Sequence, residues 1–228
     1  MLADADLAAV AALMGDAKRA SMLLALLGGE ELPARDLAAR ARASSSLASS
    51  HLAKLTDGGL LAVERRGRNR YYRLADRHTA EAIEAILAIA PHRRAHSLRE
   101  SSHGEAIRHA RTCYDHLAGA LGIALTDSLQ YQGMIGAPND GFPLTPAGQA
   151  RLSGLGLDIE ALQRGRRALT RPCLDWTERR PHLAGSLAAA LAARLLELDW
   201  IRRRTSTRAL TITDTGRRQL RTELDVNL

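Results

Sequence analysis

A stretch with one apolar side, Leu47 to Leu55, runs through Gly58-Gly59 directly into two strand-like segments joined by an arginine-rich turn. This order constrains the fold of the chain more than any other feature, because it specifies a short helix, a stop and a tight hairpin in succession. Ser44-Ser45-Ser46 can cap the helix, since a serine hydroxyl accepts the unpaired amides of a first turn. Leu47, Ala48, Leu52 and Leu55 are expected on its inner side, and Ser45, Ser46, Ser49, Ser50, His51 and Lys54 on the outer face. Leu60-Leu-Ala-Val-Glu-Arg65 and Arg70-Tyr-Tyr-Arg-Leu74 then bracket Arg66-Gly67-Arg68-Asn69, a hairpin in composition. Short polar side chains on a slim helix can meet base edges in a major groove. Arg65, Arg66, Arg68 and Arg70, with Asn69, crowd the hairpin tip, where they can reach phosphates. A solvated helix face beside a basic loop is the alternative reading of the same residues.

Other helices precede this pair. Leu7, Val10, Ala11 and Met14 keep a helical period, as do Met22, Leu23, Leu26 and Leu27 before Gly28-Gly29. A third helix is expected after Pro33, with Leu37 and Ala38 inward. Only 3% of the 228 residues are aromatic, so the core must be built from Leu, Ala and Ile, which favours packed helices. The formal charge of +7 fits an anionic partner.

Taken together, Ala12 through Leu74 resembles the winged-helix repressors of the ArsR/SmtB family. The resemblance is carried by Ser46-x-x-Ser49-x-His51-Leu52-x-x-Leu55 and by Gly59-Leu60-Leu61 leading into the hairpin. It covers about two-fifths of the chain, so the protein is identified as a long form with a C-terminal extension. It implies a homodimer on double-stranded DNA with an inverted-repeat operator, built partly through the helix after the wing. That helix is expected between Asp76 and Pro91, with Ile83, Ile86, Leu87 and Ala90 on one face.

Family members that sense metals use thiolates on the helix before the recognition helix, here Ala34 to Ala43, which contains no Cys. A second family site pairs Asp-x-His with a later His and acid. Asp76 and His78 match its first half, but Ile89 and His92 stand where the second half should be. Half a set cannot close a tetrahedral shell, so Asp76 is expected to cap the helix. Beyond it lie His92, His96, His103, His109, Cys113 and His116. His109, Cys113 and His116 would share one face of a helix and suit a soft divalent metal. Against that stand Arg93, Arg94, Arg99, Arg108 and Arg111, and solvated histidines are the expectation.

The second half repeats itself. Cys113-Tyr-Asp-His116-Leu-Ala-Gly119 is matched by Cys173-Leu-Asp175 and His182-Leu-Ala-Gly185. Both copies then run into an expected helix with leucine every four residues, Leu117, Leu121, Leu125 and Leu129 in one and Leu183, Leu187, Leu191 and Leu195 in the other. Leu144-Thr-Pro-Ala-Gly148 and Ile212-Thr-Asp-Thr-Gly216 follow as strand ends turning into helices. This order points to an internal duplication, about 113–158 and 173–225, each copy a degenerate winged helix. Arg202, Arg203, Arg204 and Arg208 make the second ribbon basic, although packing and dimer contacts are its expected role. Cys113 and Cys173 occupy equivalent places. They read either as a thiol switch, with His116 and Arg111 lowering the Cys113 pKa if they point at it, or as small buried groups at helix starts.

The expected fold is therefore mainly α with small β-hairpin wings. Residues 1–92 form a winged helix-turn-helix domain for DNA binding and dimerisation, and 93–228 a regulatory and dimerisation domain. The acidic N-terminus and the lack of any apolar run near ~20 residues predict a cytoplasmic protein without membrane contact. No phosphate-cradling loop or nucleophile motif is present, so neither enzymatic activity nor a cofactor is expected. The functional expectation is a homodimeric repressor that reads operator DNA and responds to a thiol-reactive or metal signal, its effector unspecified. The alternative is a winged-helix protein-interaction module.

Overall fold

The computed structural model describes residues 5–91, 97–205 and 207–228. The chain forms two compact units, one up to Ile83 and one from Glu84 onward. None of the described helices is long and apolar enough to cross a membrane.

The first unit contains α1 (Leu7–Met14), α2 (Ala17–Leu26), β1 (Leu32–Pro33), α3 (Ala34–Arg40), α4 (Ser45–Asp57), β2 (Leu61–Arg66), β3 (Asn69–Leu74) and the start of α5 (Arg77–Ile89). Asp16 caps α2 by accepting the Lys18 and Arg19 amides, each at 2.9 Å. The Arg19 amide bond holds the Asp16 carboxyl below its ordinary pKa. Met22, Leu23 and Leu26 of α2 are buried, as are Leu37 and Ala38 of α3 and Leu52 and Leu55 of α4. Between α3 and α4 the chain turns at Arg42, whose φ of +48° is left-handed. Lys18 Nζ donates to the Arg42 carbonyl at 2.6 Å across that turn. The strands make an antiparallel sheet in the order β1-β3-β2. Its inner residues Leu61, Tyr72 and Leu74 are buried.

In the second unit α6 (Leu98–His109) precedes two copies of one pattern. The first copy comprises β4 (Arg111–Cys113), β5 (His116–Ala118), α7 (Ala120–Tyr131) and α8 (Pro146–Gly154). After α9 (Ile159–Arg164), the second comprises β6 (Arg171–Leu174), β7 (Pro181–Ala184), α10 (Ser186–Glu197), β8 (Ile201–Arg203), β9 (Leu210–Ile212) and α11 (Asp214–Leu224). In the first copy a single bridge, Ile135 to Leu144, stands where β8 and β9 pair in the second. The opening hairpins hold the same register, Cys113 opposite His116 and Cys173 opposite His182.

Each copy therefore begins with a hairpin, which the leucine spacing does not reveal. Leu117 and Leu183 lie in β5 and β7, not in helices, because Gly119 and Gly185 turn the chain at φ +74° and +107° before α7 and α10 begin. The later junctions also match. Thr145 and Thr213 cap α8 and α11 by accepting the Gly148 and Gly216 amides at 3.0 and 2.9 Å. α10 packs on β5 and α7 on β7, so each copy's helix covers the other's hairpin. Leu121, Leu125 and Leu129 thereby enter one core with Leu187, Leu191 and Leu195.

Gly216 tests this geometry, since a Cβ there would lie 1.9 Å from the Trp200 carbonyl oxygen. Backbone cannot yield as a side-chain tip can, so Gly216→Ala should lower stability by about 2 kcal/mol or more in urea unfolding. Gly154→Ala, where a Cβ meets nothing within 4 Å, should leave stability unchanged or slightly raised.

Candidate nucleic-acid interface

Ser44 caps α4, accepting the Leu47 amide at 3.3 Å. Ala48, His51, Leu52 and Leu55 are the buried residues of this helix. They fall at i, i+3, i+4 and i+7, one face of a helical wheel. His51 is thus turned inward, 8% exposed and 3.9 Å from Asp16 across the packing of α2 on α4. This corrects its place on the outer face: its polar character conceals that it sits three residues from Ala48 and four before Leu55. Leu47 takes the opposite correction and is 42% exposed, about 100° from Ala48 on the wheel. Ser45, Ser46, Ser49, Ser50 and Lys54 are exposed, as the sequence implies. Ser49 Oγ donates back to the Ser45 carbonyl at 2.9 Å.

In the wing, β2 and β3 pair from Leu61 opposite Leu74 to Arg66 opposite Asn69. That register leaves Gly67-Arg68 as a two-residue turn, with Gly67 at φ +61° in the first central position. Arg65, Arg66, Arg68, Asn69 and Arg70 are all exposed but not equivalent. Arg66 is held by Glu31 at 2.5 Å and Glu64 at 2.7 Å, and lies over the Tyr71 ring. Its two carboxylates raise its pKa, and its charge is largely compensated within the unit. Arg65 donates to the Gly67 carbonyl at 3.3 Å. Arg68 and Arg70 make no ion pair among the described residues.

On α5, Asp76 accepts from the Thr79 amide and hydroxyl at 2.8 and 2.9 Å, which makes it a cap. His78 is exposed near Glu81. His92 and His96, with Arg93 and Arg94, lie outside the described residues.

His109, Cys113 and His116 do not share a helix face. α6 ends at His109, which is exposed, and extended backbone at Ala110 starts the β4 strand. Cys113 and His116 instead face each other across the β4–β5 hairpin, whose turn is made by Tyr114 at φ +59°. There they meet Cys173 and a residue the sequence reading passed over, His182. The sulfurs are 3.9 Å apart and the two histidine Nε2 atoms 3.1 Å apart. The signal for His182 was present, because the repeat that equates Cys113 with Cys173 equates His116 with His182.

Two carboxylates stand behind the histidines. Asp115 Oδ1 lies 3.2 Å from His116 Nδ1, and Arg167 holds the same carboxylate at 2.5 and 3.1 Å. Burial works against the Asp115 charge, but bonds from His116 and Arg167 prevail and bring its pKa down to about 2. Asp175 Oδ2 lies 3.9 Å from His182 Nδ1 and 2.9 Å from Arg111. Arg111 is therefore paired with Asp175 rather than with Cys113. A hydrogen bond shared with Cys173, together with burial, pushes the Cys113 thiol up to about 12. Neither cysteine begins a helix.

No family model matches the chain. It is 43% identical over 223 residues, 98% of this chain and 99% of the relative, to an uncharacterized HTH-type transcriptional regulator, YdfF, of Bacillus subtilis (strain 168). Among solved structures, HlyU from Vibrio cholerae N16961 is 28% identical, with 35% of this chain and 85% of HlyU covered at a TM-score of 0.33. The cadmium metal-sensor CMTR from Mycobacterium tuberculosis is 32% identical, with 40% and 94% covered at a TM-score of 0.33.

The inward place of His51 has a measurable consequence. His51→Ala should empty part of the α2–α4 packing and cost about 2 kcal/mol in chemical denaturation. Ser50→Ala, at an exposed site, should change stability by less than ~0.5 kcal/mol. Equal effects of the two substitutions would contradict the assigned faces.

Proposed function

Because the chain belongs to the HTH-type transcriptional regulators, we propose that it acts as a homodimeric repressor, reading an inverted-repeat operator through α4 and the β2–β3 wing. It is a DNA-binding regulator; the residue roles, the dimer and the repression are our reading. Residues 1–92 serve DNA binding and dimerisation, and residues 93–228 regulation. The protein works by binding rather than by catalysis.

The observation that carries this reading is the exposed row Ser45, Ser46, Ser49, Ser50 and Lys54 on the same chain segment as a wing with two arginines, Arg68 and Arg70, that make no ion pair among the described residues. The serines and Lys54 are assigned to base edges and adjacent phosphates. Arg65, Arg68, Asn69 and Arg70 are assigned to the flanking backbone. Arg66 keeps the wing in shape through Glu31 and Glu64, and His51 sets the seat of α4 on α2. The dimer is supported by α5, which leaves Ile86 47% and Ile89 85% exposed on its own surface. Repression follows the likeness of Ala12–Leu74 to the ArsR/SmtB repressors.

Selection of bound duplexes from a random pool, followed by binding at several salt concentrations, tests the reading. The wild-type protein should recover a palindromic site. Arg68→Ala should weaken binding to all sequences alike and reduce the salt slope by about one phosphate contact. Ser49→Ala should change affinity unequally among site variants, by about 1–3 kcal/mol at one base pair. An unenriched pool, with the protein folded, would reject DNA reading.

A further inference from the structure

In the second unit the two copies of the repeat bring four side chains with metal-binding atoms to one point. The ligand atoms of Cys113, His116, Cys173 and His182 all lie within 4.8 Å of one another. Cys113, His116 and His182 are buried, and Cys173 is half-buried. We propose that these four residues form a tetrahedral Cys2His2 site for a divalent cation of the zinc type, fastening the two hairpins to each other.

Three features carry the proposal. The first is distance. Zinc–sulfur bonds of ~2.3 Å and zinc–nitrogen bonds of ~2.0–2.1 Å in a tetrahedron set a sulfur–sulfur edge of roughly 3.8 Å and a nitrogen–nitrogen edge of roughly 3.3 Å. The separations here are 3.9 and 3.1 Å. A disulfide would instead need its sulfurs at ~2.05 Å.

The second is orientation. Both histidines present Nε2 to the cluster and turn Nδ1 toward a carboxylate, Asp115 in one copy and Asp175 in the other. A ligating histidine is commonly oriented by such an acid on its far nitrogen. His182 Nδ1 is wholly buried and has no hydrogen bond of its own, so the weak approach of Asp175 at 3.9 Å is what faces it.

The third is charge. Two arginines beside the cluster's flanking acids do not oppose a cation, because Arg111 is spent on Asp175 and Arg167 on Asp115. Two thiolates would neutralise a divalent ion, and the two Arg–Asp pairs add no net charge. Of the arginines around Cys113 in the sequence, Arg111 is thereby neutralised. With all four positions filled by protein, the shell is closed, which is the form of a structural rather than a catalytic zinc site.

The site differs from the two ligand sets that the ArsR/SmtB resemblance implies, on the helix before α4 and on α5. It is also independent of whether the first unit reads DNA. Cobalt(II) titration of the reduced, chelator-treated full-length protein tests it directly. One cobalt per chain should bind with the visible d–d bands of a tetrahedral ion and a near-ultraviolet thiolate charge-transfer band, and one zinc should displace it. Cys173→Ser, at the half-buried ligand, should abolish the charge-transfer intensity from one sulfur and weaken zinc by more than ~100-fold. Asp115→Asn leaves all four ligands in place and should weaken zinc by about 10–100-fold, which keeps the proposal testable if Cys173→Ser does not fold. His109→Ala should bind as the wild type does. The proposal is overturned by octahedral, weakly absorbing cobalt, by no stoichiometric uptake in the reduced protein, or by the same spectrum and affinity in Asp115→Asn and wild type.

Discussion

Arg111 and Asp175 form an ion pair with no solvent exposure on either side chain, and the second unit is organised around it. Two charges removed from water cost several kcal/mol each unless their remaining valences are filled. Asp175 fills its own almost completely. One oxygen accepts from the Thr177 amide and hydroxyl and the Glu178 amide, the other from the Gly119 amide at 2.6 Å and from Arg111. These bonds outweigh the burial that opposes its charge and hold its pKa below the ordinary carboxylate range. Arg111 belongs to β4 of the first copy, and Asp175 follows β6 of the second. The pair is therefore a crossing between repeats, not a feature of either one.

That crossing explains why the glycine before α7 has no substitute. Gly119 must present its amide to Asp175, and a Cβ there would meet the Arg108 carbonyl oxygen at 2.4 Å. Gly185 meets the same restriction against the Leu169 carbonyl oxygen at 2.4 Å. The two hairpins are thus tied to each other by the buried charge pair and by the Gly119 amide on Asp175. Their cross-strand Cys–His pairs are carried to the same place by that closeness. A duplicated hairpin with one cysteine and one histidine supplies half a ligand set, and packing two copies completes it.

The first unit could be read from the chain in order because its signals are local. Ser44, Gly58-Gly59 and Gly67 each act on their immediate neighbours, so the cap, the stop and the hairpin register follow from a few residues. His51 could not be placed by type, since its ring is polar but its position belongs to the apolar face. The second unit conceals more because its strands are three or four residues long, too short for an alternating pattern to show. A helical period through Leu117 and Leu183 persists only because β5 and β7 run directly into α7 and α10. The meeting of His116 with His182 depends on residues 66 positions apart, which no spacing rule within one segment can anticipate. Only the repeated His-Leu-Ala-Gly marks them as equivalent.

Net charge is similarly informative only after its internal uses are known. The chain carries 32 basic and 25 acidic side chains, which by count alone suits an anionic partner over the whole surface. Several arginines are instead spent within their own unit. Arg66 is held by Glu31 and Glu64, Arg167 by Asp115, Arg202 by Asp199, and Arg208 by a nearly buried Glu84. The second ribbon thereby loses Arg202 and Arg208 among the arginines that made it resemble a wing. Among the described residues Arg68 and Arg70 keep their charge unpaired at the tip of the first hairpin, next in sequence to the polar face of α4. Excess charge thus gains a location, and that location adjoins a helix whose outer side chains are short enough to approach base edges.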